Sequence, residues 1–335
     1  MATLGQIGEA GFLDQVRRLA GPPGPDVVVG IGDDAAALRL PEGELLVATC
    51  DVLVEGRHFR GPDHPPRAIG RRLAAVNLSD IAAMGATPRW GLASFVLPLA
   101  LSAEAGAELF FGLSEGLRAD GAVVVGGNLS AGEMLSLELT LLGSVAPDQM
   151  VRRSGAQPGD RVLVTGTLGG NAAARLAIEA GFDPSMPALA ELLAAFRQPR
   201  SRVAAGRAIA DSRLVHAMID VSDGLLSDLG HLCRAGDVGV RLRAGAVPVD
   251  ETTREVAGRL GHAPLHLALT GGEDYELLLA APAAATDTLM AILSSLGVPV
   301  ASIGEVVAGE VACCLVYDDG TDQPVPFAGW DHFTL

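Results

Sequence analysis

Leu135-Ser136-Leu137-Glu138-Leu139-Thr140-Leu141-Leu142-Gly143-Ser144, followed by Ala146-Pro147-Asp148-Gln149, marks a break in the chain. The first ten residues read as a strand, and the Pro-Asp segment after them reads as a linker. Beyond it the pattern starts again with a strand at 161–165. Upstream, 4–20 reads as an amphipathic helix with Ile7, Phe12, Val16 and Leu19 near one face, ended by Gly21-Pro22-Pro23-Gly24-Pro25. Strands are expected at 27–31, 45–51, 89–97 and 122–125. A long helix at 67–84 stops at Gly85 and Pro88, and a second at 102–119 has Ser102 as its N-cap. Downstream, helices are expected at 171–180, 189–196, 202–211 and 225–235, a short buried strand at 217–220, and a strand, helix and strand set over 238–317. Two domains follow, 1–146 and 147–335. Adjacent strands in each half favour an α/β fold of layered α+β type over a doubly wound sheet.

Composition narrows the function. At 335 residues, 49% hydrophobic and 19% charged, the chain has the makings of two packed cores and not of a disordered protein. A formal net charge of −16 argues against nucleic acid and anionic membranes as partners, since both require basic patches. All 24 basic residues are arginine. Without lysine there is no Walker P-loop, no kinase of the strand-three-lysine type and no Schiff-base chemistry. Cys50, Cys233, Cys313 and Cys314 lack metal-site spacing and read as free thiols. The first residues form no signal peptide and no segment is long and apolar enough to span a membrane, so a cytoplasmic protein is expected.

Short acidic motifs recur along both halves: Gly32-Asp33-Asp34, Thr49-Cys50-Asp51, Asn77-Leu78-Ser79-Asp80, Asp220-Val221-Ser222-Asp223-Gly224 and Gly271-Gly272-Glu273-Asp274-Tyr275-Glu276. Carboxylates among apolar residues repel one another and are costly to desolvate, so gathering them calls for cations. Oxygen ligands suit Mg²⁺, which is commonly shared with substrate phosphates. Asn77 and Asp80 lie three apart on one face of an otherwise apolar helix. Asp220 precedes a helix start that Ser222 or Asp223 can cap, which makes Asp220 the stronger ligand candidate and Asp223 the second. Asp228, inside the following helix, reads as solvated. Gly126-Gly127-Asn128 and Asp51 are each expected at the end of a strand, and Arg153 just past the linker is suited to reading a phosphate.

Together the motifs resemble the thiamine-monophosphate kinase family, of the superfamily that also holds aminoimidazole ribonucleotide synthetase, selenophosphate synthetase and a hydrogenase-maturation dehydratase. The matching elements are GIGDDAA at 30–36, DVLVEGRHF at 51–59, AVNLSDIAAMGATP at 75–88, RSGAQPGD at 153–160, IDVSDGLLSDLGH at 219–231, GGEDYEL at 271–277 and GWDHF at 329–333. The resemblance implies a two-domain enzyme whose N-terminal sheet pairs across a homodimer. Its N-terminal domain would bind ATP and Mg²⁺ and dimerise, and its C-terminal domain would complete the active site. The implied reaction moves a phosphoryl group from ATP to thiamine monophosphate.

Carried onto this sequence, the family's Mg²⁺ ligands fall on Asp34, Asp51, Asp80, Asp220 and Asp223, with Thr49 beside them and Asn128 as a further donor. ATP-side positions fall on Gly127, Asn128, Arg153 and Ser222, and substrate positions on His58, Glu273 and Trp330. No covalent nucleophile or general base is expected. Asn128 departs from the family's more usual Asp, and Cys50 from its Ser or Thr; a thiol is a poor Mg²⁺ ligand. Two other readings stay open: another ATP-dependent enzyme of the superfamily, or an idle nucleotide- or metal-binding protein.

Overall fold

In the computed structural model, residues 3–20, 24–31, 35–61 and 63–330 are described. Asp34 therefore lies outside the described residues. The chain divides into one unit of residues 1–81 with 86–148, and another of 82–85 with 149–335. Along the first run α1 (Leu4–Ala20), β1 (Val27–Val29), β2 (Ala37–Leu38), β3 (Leu45–Val54), α2 (Pro66–Ala83), β4 (Thr87–Leu97), α3 (Ala103–Ala119), β5 (Val123–Ala131) and β6 (Ser136–Val145). Then follow β7 (Asp160–Thr165), α4 (Gly170–Glu179), α5 (Pro187–Arg197), α6 (Val203–Ser212), β8 (Ala217–Val221), α7 (Leu225–Gly236), β9 (Gly239–Arg243), α8 (Glu251–Leu260), α9 (Pro264–Thr270), β10 (Glu276–Pro282), α10 (Thr286–Ser295), β11 (Val300–Val307), β12 (Cys313–Val316) and β13 (Asp322–Val325).

Period two governs the first sheet, whose order is β3-β6-β4-β5. Leu137, Leu139 and Leu141 are fully buried, while Ser136, Glu138 and Thr140 between them are only partly covered. The covered face meets two helices: Gly143 of β6 lies against Ile81 of α2, and Gly91 of β4 against Leu117 of α3. In the register of β3 on β6, Thr49 opposes Leu141 and Asp51 opposes Leu139, so both belong to the helix-covered face. Cys50, between them, belongs to the other.

The two helices touch through glycine. A Cβ on Gly112 would stand 2.0 Å from the Arg67 carbonyl oxygen, and one on Gly70 the same distance from that of Leu109. We therefore expect Gly112→Ala to cost about 1–3 kcal/mol, the usual penalty of overpacking. Urea melts of the wild type and variant measure it; coincident midpoints would mean that the helices can part without loss.

In the second unit seven strands run in the order β13-β12-β9-β11-β7-β10-β8. All pairs are antiparallel except β12 with β9. Alternate residues of β8 (Ala217, Ile219, Val221) enter one core with Leu225, Leu229 and Leu232 of α7. Helices α4, α5 and α8 form a second cluster around Leu189, Leu193 and Val256. The Glu276 carboxylate at the start of β10 is buried and takes two bonds from the Arg202 guanidinium, at 2.6 and 2.5 Å, and one from the Thr165 hydroxyl at 2.6 Å.

Four local expectations need correction. β3 continues to Val54 and β5 to Ala131, so Asp51 and Gly126-Gly127-Asn128 lie within strands, held there by pairing with β6 and β4. The N-cap of α7 is Gly224, without a side-chain cap, because the turn before it is closed by the Asp228 carboxylate from inside the helix. Three α-helices, not one, lie between 238 and 317. Asp228 is 3% exposed and is not solvated. No described helix is long and apolar enough to cross a membrane.

Candidate active site

Two groups of candidate residues emerge, one in each unit. In the first, β3 presents Thr49 and Asp51 to the face covered by α2, and the Thr49 hydroxyl donates to the Asp80 carboxylate. Asp80 lies one turn after Asn77, which is fully buried and turns its amide back to the Leu73 carbonyl. The apolar residues between them anchor the helix, so Asp80 is fixed at its half-buried position by its neighbours' burial. Cys50 points away: its thiol meets Glu138 and Thr140 on the opposite face. Its side chain is thus no ligand beside Asp51, and only its main chain runs past that group.

Asn128 sits on β5, the far edge of the sheet from β3. Three interstrand spacings, about 14 Å, separate the two edges. Gly127 beside it is required by close approach, since a Cβ there would meet the Ala93 carbonyl oxygen at 1.8 Å. His58 lies in the loop after β3, where its Nδ1 accepts the Val54 N–H at 3.0 Å. The ring proton of the neutral imidazole is then on Nε2.

The second group is a pair of loops pinned together. Asp220, 3% exposed, is the last residue but one of β8. The turn after it is shaped by Asp228, whose Oδ2 accepts the backbone N–H of Ser222 and of Asp223, each at 3.0 Å. Burial, and then the Asp220 and Asp223 carboxylates, push the Asp228 pKa up to about 8. Three carboxylates thus feel one another across this turn. The Glu273 N–H donates to the Ser222 carbonyl at 2.6 Å and the Tyr275 N–H to Val221 at 2.8 Å. Glu273 and Tyr275 both hold positive φ, 62° and 52°, a conformation that costs non-glycine residues of order 1 kcal/mol and clusters at functional sites.

Asp274, between them, turns away from the turn and accepts the Gly169 N–H at 2.9 Å at the head of α4. Desolvation, and after it Glu276 and Glu273, hold its pKa well above the carboxylate range. Trp330 is tied to the same turn through its N–H and the Asp223 carbonyl at 2.8 Å, and its indole lies 5.8 Å from the Arg175 guanidinium. Arg153 is exposed. Desolvation, and after it the Arg234 and Arg153 charges, lower the pKa of the His231 imidazole, while Asp223 raises it.

The donors in both groups are carboxylate, hydroxyl and carbonyl oxygens, the set a hard cation takes. The mutual repulsion at Asp228 is what such a cation would relieve, so the residues fit Mg²⁺ in their chemistry. Among the described residues, no three His, Cys, Asp or Glu side chains stand close enough to enclose a metal by themselves.

Residues 32–145 match the family described as AIR synthase related protein, N-terminal domain, and residues 157–313 its C-terminal domain. The thiamine-monophosphate kinase of Escherichia coli K12 is 38% identical over 312 residues, covering 92% of this chain and 93% of that one. This chain belongs to the thiamine-monophosphate kinase family. A thiamine-monophosphate kinase from Stenotrophomonas maltophilia K279a has the same fold, with a TM-score of 0.82 at 34% identity over 92% of this chain and 96% of that one. The structure of AaThiL complexed with AMPPCP and TMP gives a TM-score of 0.76 at 29% identity over 99% of both chains.

Sequence reasoning missed three members of the second group: Asp228, which forms the turn, and His231 and Arg175, which flank it. A carboxylate one turn into an apolar helix, close behind two others, was the available signal for Asp228.

Proposed function

We propose that this chain transfers the γ-phosphoryl group of ATP to the phosphate of thiamine monophosphate, giving thiamine diphosphate and ADP. Membership of the thiamine-monophosphate kinase family, at 38% identity over 92% of the chain, carries this reading. A relative solved with the ATP analogue AMPPCP and TMP supports the pair of substrates.

The acceptor needs no general base. A phosphomonoester has its second pKa at about 6 and is largely dianionic at neutral pH. The barrier is repulsion between two anions, so direct in-line transfer without a phosphoenzyme suffices. Mg²⁺, when bound, neutralises phosphate charge and stabilises the transferring group. Several such ions are involved: Asp51, Asp80 and Thr49, with Asp34, would hold them in the first unit, and Asp220 and Asp223 in the second. Asn128 offers an oxygen without the charge that an Asp would bring. Gly127 lets backbone approach the nucleotide, Ser222 lines its side, and Arg153 pairs with its phosphates. His58, protonated on Nε2, donates to the substrate. Glu273 stands as counter-charge to the thiazolium, and the Trp330 indole stacks on a ring.

We assign ATP and Mg²⁺ binding and dimerisation to the N-terminal domain, 1–146, and completion of the active site to 147–335. β3 and β5 are both open edges, and β3 exposes Leu46 at 54% and Val52 at 43%, a surface that invites another strand. Pairing β3 of one copy with β5 of a second about a two-fold leaves no edge open. Sedimentation equilibrium showing a monomer at micromolar concentration would remove this arrangement. A cytoplasmic location accords with four cysteines that form no disulfide.

A coupled ADP-release assay tests the reaction, offering thiamine monophosphate, aminoimidazole precursors and selenide in turn. Release with thiamine monophosphate alone is expected; release with another acceptor, or none, overturns the reading. Trp330→Ala refines it. The indole is 45% exposed, so little packing is lost on truncation. We expect a raised KM for thiamine monophosphate, in keeping with about 0.5–2 kcal/mol for a cation on an indole, and an unchanged KM for ATP. A joint rise in both constants would make Trp330 structural.

A further inference from the structure

We propose that Asp160 and His216 are positioning residues that hold the 151–160 arm against β8 and so aim Arg153 at the nucleotide phosphates. The inference rests on the reading of Arg153 as an ATP-side residue. Asp160 is 3% exposed, and its carboxylate accepts the His216 Nδ1–H at 2.9 Å and the Gln157 N–H at 2.8 Å. His216 is itself fixed in the sheet, its N–H donating to the Ala280 carbonyl at 2.9 Å. Two further contacts fasten the arm to the same strand. The Met218 N–H donates to the Arg152 carbonyl at 2.9 Å. Gly155, at φ 118°, packs so closely that a Cβ would stand 2.5 Å from the His216 carbonyl oxygen.

Farther along the arm, Ala156 rests on Gly236 at the end of α7. The arm therefore bridges the start of β8 and α7, the two elements that flank the Asp220–Asp223 turn. Arg153 is the exposed residue that follows Arg152 on this arm, next to the bond that ties the arm to Met218. Fixing the backbone of the arm in advance removes backbone ordering that nucleotide binding would otherwise have to supply. Nothing in this device touches the substrate, and its effect should appear in ATP affinity alone.

A double-mutant cycle tests this. Arg153→Ala is expected to raise the KM for ATP about tenfold or more, the scale of one lost charged hydrogen bond. His216→Ala should raise it several-fold, with the KM for thiamine monophosphate unchanged. The double variant should match Arg153→Ala alone, since His216 acts only through Arg153. His216→Asn, whose amide nitrogen falls where Nδ1 was, should restore the wild-type value. Asp160→Asn, which keeps the shape, serves if His216→Ala does not fold, and should show the same pattern at lower amplitude. Multiplying effects, an unchanged KM for ATP in His216→Ala or in Arg153→Ala, or an equal rise for both substrates would overturn the proposal. The same cycle read by calorimetry with AMPPCP separates this outcome from failure of the kinase reading. Loss of thiamine monophosphate turnover in the wild type sinks only the latter.

Discussion

Asp80→Asn should lower kcat by about 10²–10³-fold, the scale of losing one preorganised group that stabilises transition-state charge. The exchange keeps shape and volume, so the bond from Thr49 can persist on the remaining carbonyl oxygen. What disappears is one negative charge on a buried helix, at the point where β3 and α2 present their polar atoms together. Folding should be intact, because Leu78, Ile81 and Ala82 anchor this turn without help from the carboxylate. The measurement is kcat against Mg²⁺ concentration, with a thermal melt alongside. Near-normal turnover at saturating Mg²⁺ would remove Asp80 from the ligand set; a collapsed melting temperature would make it structural.

Arg202→Met should destabilise the second unit by about 3–5 kcal/mol, the cost of leaving a buried charge without its partner. The Glu276 side chain is 9% exposed and that of Arg202 10%, so water cannot take over the missing bonds. The Thr165 hydroxyl would remain as a single donor, too little for an ionised carboxylate. Adding Glu276→Gln to Arg202→Met removes the stranded charge and keeps an acceptor for Thr165. The double variant should recover most of the loss. Denaturant melts of the three proteins decide it, and a single variant within 1 kcal/mol of wild type, roughly the value of a solvent-exposed pair, would mean that the pair is effectively solvated.

Short-range patterns suffice for much of this molecule. Apolar alternation at 135–144 and the helical run at 67–84 answer to fixed backbone periods, and both elements form close to the expected bounds. The strand period by itself also places Thr49 and Asp51 on one face and Cys50 on the other, as the thiol's contacts with Glu138 and Thr140 bear out. Strand ends are less legible. Glycine and acidic residues suggest turns at Asp51 and Asn128, but pairing with a neighbouring strand overrides them and carries both strands onward.

The motif at 271–276 marks the sharpest limit. It holds three acidic side chains within four residues, and nothing local distinguishes them. Yet Glu276 is neutralised by Arg202, Asp274 caps α4, and only Glu273 remains beside the turn that carries Asp223. Asp228 likewise changes from a solvated helix residue to the group that closes the turn. By itself, then, the sequence determined most elements of the first half, the layered class, the family and the residue types available for metal and phosphate, while the element count over 238–317 was not legible in it. The assignment of each carboxylate to a ligand position, a cap or an ion pair belonged to tertiary structure. That choice depends on partners 70 to 110 residues away in the chain, such as Arg202 for Glu276 and Gly169 for Asp274, which no local period can encode.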